Sequence, residues 1–130
     1  MVNATLDFKI DAQRKLSIKK DLIELSQWIE MLENINTELD FLSAIDKQFL
    51  SHRSILSIIQ SIRRKNIGTM GSLCQYEQQL RKEFEYGKRE YDVTRAKEHE
   101  KKRDQFTALI SEFGQLKKTT YINLLKYKPR

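Results

Sequence analysis

From Ile18 the chain places apolar residues at steps of three and four: Leu22, Leu25, Ile29, Leu32, Ile35, Leu39, Leu42, Ile45 and Phe49. An α-helix with 3.6 residues per turn gathers such positions on one face. The stepping resumes after His52 with Leu56, Ile59 and Ile62, and continues through Leu73, Tyr76, Leu80 and Phe84. It returns at Phe106, Leu109, Phe113, Leu116, Thr120 and Leu124. Stripes this long need partner helices to cover them. Ile23 and Trp28 flank the first seam and widen it, so the first helix either sits centrally among three or also meets a second copy. Leu6, Phe8 and Ile10 alternate instead, which predicts a short extended arm over 1–11. The expected layout is that arm, one helical-bundle domain over 12–126, and a basic tail over 127–130.

Two turn signals compete for the end of the first long helical segment. Ser51-His52-Arg53-Ser54 offers capping serines, whereas Asn66-Ile67-Gly68-Thr69-Met70-Gly71-Ser72 joins glycines to a following cap. The first predicts an elongated antiparallel three-helix bundle with helices near 12–50, 53–86 and 91–126. The second predicts a long two-helix hairpin, about 12–65 against 72–126, that dimerises to cover its exposed stripe. In the hairpin the polar run 87–105 would face Ile35, Leu39, Leu42, Ile45 and Phe49. In the bundle Ile55, Leu56, Ile58, Ile59 and Ile62 cover that stripe, each worth about 1.5–3 kcal/mol when buried. Keeping Gly68 and Gly71 inside a helix costs about 1 kcal/mol each. Packing outweighs propensity and favours three helices, with a weak spot at 67–71.

At 130 residues, with 32% charged and 39% hydrophobic positions, the composition suits one helical domain rather than disorder. The single proline, Pro129, and four glycines leave few obligatory helix breaks. A lone cysteine, Cys74, makes no intrachain disulfide and favours a reducing compartment. There is no positively charged start followed by an apolar core, and no run nears the roughly 18 apolar residues of a membrane span. The expectation is a cytoplasmic protein with no membrane contact.

The runs FTALISEFGQLKKTTYINLLKYKPR and ELDFLSAIDKQFL resemble small helical proteins of unassigned role in Bacteroidetes. The resemblance covers about half the chain and rests on helix pattern. It implies a three-helix fold and no activity, and the glycine-rich, cysteine-containing turn of those proteins is not evident.

Catalytic chemistry finds no footing in the pattern. Cys74 lies beside Leu73 and Tyr76 and reads as a small packed side chain. His52 at a turn and His99 in mid-helix read as ordinary surface or boundary histidines. Glu98-His99-Glu100 cannot converge on one ion, because helical neighbours point about 100° apart. No HExxH, Glu-x-x-His or CxxC spacing occurs, and Gly68-Thr69-Met70-Gly71-Ser72 lacks the lysine of a phosphate loop. The expectation is no enzyme, no metal and no cofactor.

Charge is the remaining signal. The net +6 is segregated: residues 1–46 hold five Lys/Arg against nine Asp/Glu (−4), and residues 47–130 hold nineteen against nine (+10). Antiparallel pairing is expected to bring Arg63 and Arg64 near Lys117 and Lys118. A second group gathers at the other end: Lys19, Lys20, Arg81, Lys82, Lys88, Arg89 and Arg95, with Tyr86 and Tyr91 among them to stack on unpaired bases. Against this, i,i+4 pairs such as Glu85–Arg89 and Glu98–Lys102 would merely solubilise the helices. Two functions follow. One is a non-enzymatic binding protein whose basic surface engages nucleic acid or a nucleoprotein, in one form a small phage or mobile-element inhibitor. The other is a structural adaptor or homodimer that binds through its hydrophobic helix face.

Overall fold

The computed structural model describes residues 2–129, with side chains from Leu6 onward. Three helices follow in order: α1 (Val2–Ile45), α2 (Arg53–Tyr86) and α3 (Val93–Leu125), with a π-helical turn over Asp46–Leu50 after α1. At 1.5 Å per residue they measure about 66, 51 and 50 Å. They form an antiparallel three-helix bundle, with no strand among the described residues. None of the described helices is long and apolar enough to cross a membrane.

The hydrophobic stripes form one core. Ile18, Leu25, Leu32 and Leu39 of α1 are fully buried against Ile55, Ile59, Ile62, Leu73 and Leu80 of α2. Phe106, Leu109, Phe113 and Leu116 close it from α3. α1 packs most extensively on α2 and touches α3 least.

The turn at 51–53 is the one used. Ser51 adopts a left-handed conformation (φ 54°) and its N–H donates to the Asp46 carbonyl. Neither serine caps α2, however. The Asp46 carboxylate, itself buried, accepts from the His52 N–H at 3.0 Å. The wide π-turn carries Asp46 inward and leaves Phe49 exposed, edge-on to Tyr127 at 5.5 Å. Phe49 thus leaves the stripe that the spacing assigned it to.

The rival turn at 66–72 is unbroken helix. Asn66 is buried and donates from Nδ2 to the Leu32 carbonyl at 3.1 Å, fixing the register of α2 on α1. At the second turn, Arg14 is buried and donates to the Glu83 carbonyl, which also accepts the Gly87 N–H. The same guanidinium holds the Asp11 carboxyl below the usual carboxylate range. Asp92 caps α3 by accepting from the Arg95 N–H at 3.0 Å.

Two expectations need correction. The extended arm over 1–11 is instead the start of α1 from Val2 onward, with Leu6 and Phe8 exposed. Once a helix is nucleated, each added residue gains a hydrogen bond, whereas three alternating apolar side chains have no sheet to join. Cys74 is exposed rather than packed, because Leu73 and Tyr76 take the inward positions of that turn.

Candidate functional site

Near the end of the bundle where α2 passes to α3, a polar centre crosses all three helices. His99, 3% exposed, places Nδ1 at 2.8 Å from the Tyr76 hydroxyl. Its Nε2 lies 2.6 Å from Glu24 Oε1 and 3.5 Å from Asp21 Oδ1. Trp28 stacks on the imidazole at 5.1 Å and on Phe106 at 5.5 Å. Arg103 donates to Glu24 at 2.7 Å and also meets Glu100. The Tyr91 hydroxyl donates to the Asp21 carboxylate.

The protonation pattern follows from burial. Desolvation, reinforced by the Asp21 charge, pushes the Tyr76 phenol well above its ordinary range, so it keeps its proton. The hydroxyl and Nδ1 share one hydrogen bond whose direction follows the imidazole tautomer. Burial, then the hydrogen bond to Asp21, raises Tyr91 likewise. Desolvation pulls the Glu24 carboxyl upward, but hydrogen bonds from Arg103 and His99 outweigh it and hold it below the usual range. The Arg103 guanidinium is raised in return, chiefly by its bond to Glu24.

Asp21, Glu24 and His99 carry metal-ligand chemistry, and their donor atoms lie within 4.8 Å of one another. The 2.6 Å separation of His99 and Glu24 is a hydrogen bond. Two ligands on one tetrahedral zinc stand about 3.3 Å apart. Arg103 already brings positive charge to the Glu24 carboxylate. The arrangement is a hydrogen-bonded network complete in itself. The stripe of α3 carries one sign of it: His99 lies seven residues before Phe106, on the same face.

The basic residues divide differently from their order in the chain. Arg63 turns to Asp40 of α1 at 2.5 Å, while Lys117 leans toward Glu38 of α1 at 3.5 Å. Asp40 and Glu38 are two residues apart and point to different sides of α1, so Arg63 and Lys117 do not share a surface. Of Arg63, Arg64 and Lys65, it is Lys65 that reaches across to α3, meeting Glu112 at 2.8 Å. Arg64 and Lys118 are exposed with no carboxylate within 4 Å among the described residues.

In the second group several members are paired: Arg81 with Glu77 at 3.8 Å, Arg89 with Asp92 at 3.7 Å and Arg95 with Glu98 at 3.6 Å. The Glu85–Arg89 and Glu98–Lys102 pairs expected from spacing are replaced by these i,i+3 contacts and by a Lys102 bond to Ser72 at 2.9 Å. Tyr91 packs against the core with its hydroxyl engaged, so its ring is not free to stack. Lys19 and Lys20 are exposed on α1. Lys88 lines a hollow on α1 with Asp7, Ile10, Asp11 and Arg14.

Three residues of that group do converge. Lys82, Tyr86 and Arg95 line one open groove of about 470 Å³ with Gln79, Glu83 and Gly87. Tyr86 is 79% exposed. Arg95 Nη2 and Glu83 Oε1 are buried without a hydrogen-bond partner. Comparison of the chain with family models, curated proteins and solved structures finds no match.

Proposed function

We propose that this is a non-enzymatic helical binding protein that engages single-stranded nucleic acid through the groove at the α2–α3 turn. The observation that carries the reading is the convergence of Lys82 and the exposed Tyr86 ring on that groove, with Arg95 in its lining. Lys82 supplies charge for phosphate, the largely buried Arg95 adds positive field from the groove lining, and the exposed Tyr86 ring supplies a stacking surface that any base can use. Glu83 repels phosphate locally and favours the amino edge of a base, so it orients the strand. A reducing, cytoplasmic setting suits the free Cys74.

Fluorescence anisotropy with a labelled single-stranded oligonucleotide tests the proposal across a salt series. Affinity is expected to fall steeply with salt, and Lys82→Glu to lower the log–log slope by about 0.7 for each phosphate no longer neutralised. Tyr86→Ala is expected to cost about 1–3 kcal/mol. Binding that is absent at low salt, or that neither substitution changes, refutes the reading.

A further inference from the structure

Along α1 the side chains of Leu16, Ile23, Met31 and Phe41 fall within an arc of about 80° at 100° per residue. Each is exposed, Leu16 at 56%, Ile23 at 55% and Phe41 at 64%. Asn34 and Glu38 lie within the same arc, and both line a largely apolar groove of about 400 Å³ between α1 and α3 with Met31, Ile110, Gly114 and Lys117. A Cβ added at Gly114 would meet nothing within 4 Å. This edge therefore sets four exposed apolar side chains among Lys20, Gln27, Asn34 and Glu38, and it is grooved and open to close approach along about 38 Å, the length of 25 helical residues.

We infer that this α1–α3 edge binds a second copy of the chain, with the two α1 helices antiparallel about a two-fold axis near residue 29. The charges select both partner and direction. Lys20 shares the arc with Glu38 and has no carboxylate within 4 Å among the described residues. A two-fold at residue 29 sets Lys20 beside Glu38 of the second copy, and Glu38 beside Lys20 of the second copy, each Glu38 then lying between that lysine and Lys117 of its own chain, which it meets at 3.5 Å. The same axis brings Leu16 beside Phe41 of the second copy and Gln27 onto its Met31. A parallel pairing would oppose lysine to lysine and glutamate to glutamate. An edge complementary to itself under one rotation is what an isologous dimer requires. With neighbouring helices 8–10 Å apart, a strip this long and roughly 20 Å wide gives about 750 Å² per copy, close to the share of a standard interface. The surface lies apart from Lys82, Tyr86 and Arg95, so the dimer and the proposed nucleic-acid groove stand or fall separately.

Sedimentation of the full chain over a concentration series reads the outcome. The wild type is expected to reach twice the monomer mass, and Phe41→Lys to weaken association about 100-fold while the helical circular-dichroism signal persists. Lys20→Glu is expected to weaken it about tenfold, and Lys20→Glu combined with Glu38→Lys to restore it. The inference is overturned by a wild type that stays monomeric at the highest concentration. It is equally overturned by a dimer indifferent to Phe41→Lys, or by a double reversal no better than the single one.

Discussion

Along the α2–α3 surface lie polar pairs that are exposed or half-buried: Lys102 to Ser72, Ser72 to Gln105, and Lys65 to Glu112. Nearer the α2–α3 turn, the same helix buries His99 between Tyr76 of α2 and Glu24 of α1 and stacks it on Trp28, and farther along it lines the groove at Met31 and Gly114. The surface pairs are hydrated and tolerant of small shifts. The buried centre joins His99 to Tyr76 of α2 and Glu24 of α1 out of water, so it fixes where α3 lies against both helices at that end.

Breaking the buried centre and the surface pairs should therefore have unequal consequences, and this is the largest effect expected. His99→Ala leaves the Tyr76 hydroxyl and the Glu24 carboxylate without their shared partner and opens a void beside Trp28. It should lower unfolding stability by about 2–4 kcal/mol. Lys65→Ala or Glu112→Ala should cost less than about 1 kcal/mol, as an exposed pair does. Urea unfolding of the three variants measures the contrast, and equal losses would remove the distinction drawn between the two regions.

The same centre should be visible in pH dependence, with a smaller effect. The Tyr76 phenol is raised in the folded state, so the folded protein holds that proton more tightly than the unfolded chain. Its contribution is then fully present below the unfolded value of 10.0 and is lost as pH rises above it. Stability should decline above about pH 10, approaching about 1.4 kcal/mol per pH unit for one buried phenol. Tyr91 adds in the same direction. Glu24 is lowered, so its share is present above 4.5 and fades in acid. Urea midpoints between neutral and alkaline pH check the sign, and Tyr76→Phe should flatten the alkaline decline.

Legibility in the sequence depends on whether a signal is local. The apolar stripes announce three helices and the span of α2, because packing of Ile55, Ile59 and Ile62 on α1 outweighs two helical glycines. The alternation of Leu6, Phe8 and Ile10 misleads, because three residues are too few to outweigh helix propagation. The role of His99 is hidden from a linear reading because its partners lie on other helices. Asp21 and Glu24 are 78 and 75 residues away, and only the register of α1 on α3 brings them beside it. The basic clusters are legible as charge but not as surface. Whether Arg63 finds Asp40, or Lys117 finds Glu38, depends on helix rotation, which composition does not carry.

The smallest effect separates the grooves on the two sides of α3 through their glycines. Gly68 lines the groove toward α2 and Gly114 the one toward α1, and an added Cβ meets nothing within 4 Å at either. Neither has a positive φ, so alanine removes only the entropy penalty of a helical glycine and should stabilise the isolated bundle by about 1 kcal/mol in each case. Self-association should distinguish them. A methyl at 114 stands in the edge that a second copy is inferred to approach, whereas one at 68 faces the opposite side. Thermal melts should show Gly68→Ala and Gly114→Ala rising together, while sedimentation shows only Gly114→Ala weakening the dimer. Were both to leave association unchanged, the close approach at Gly114 would be wrong even if α1 still pairs. Were Gly68→Ala the disruptive one, the contact would belong on the α2 side instead.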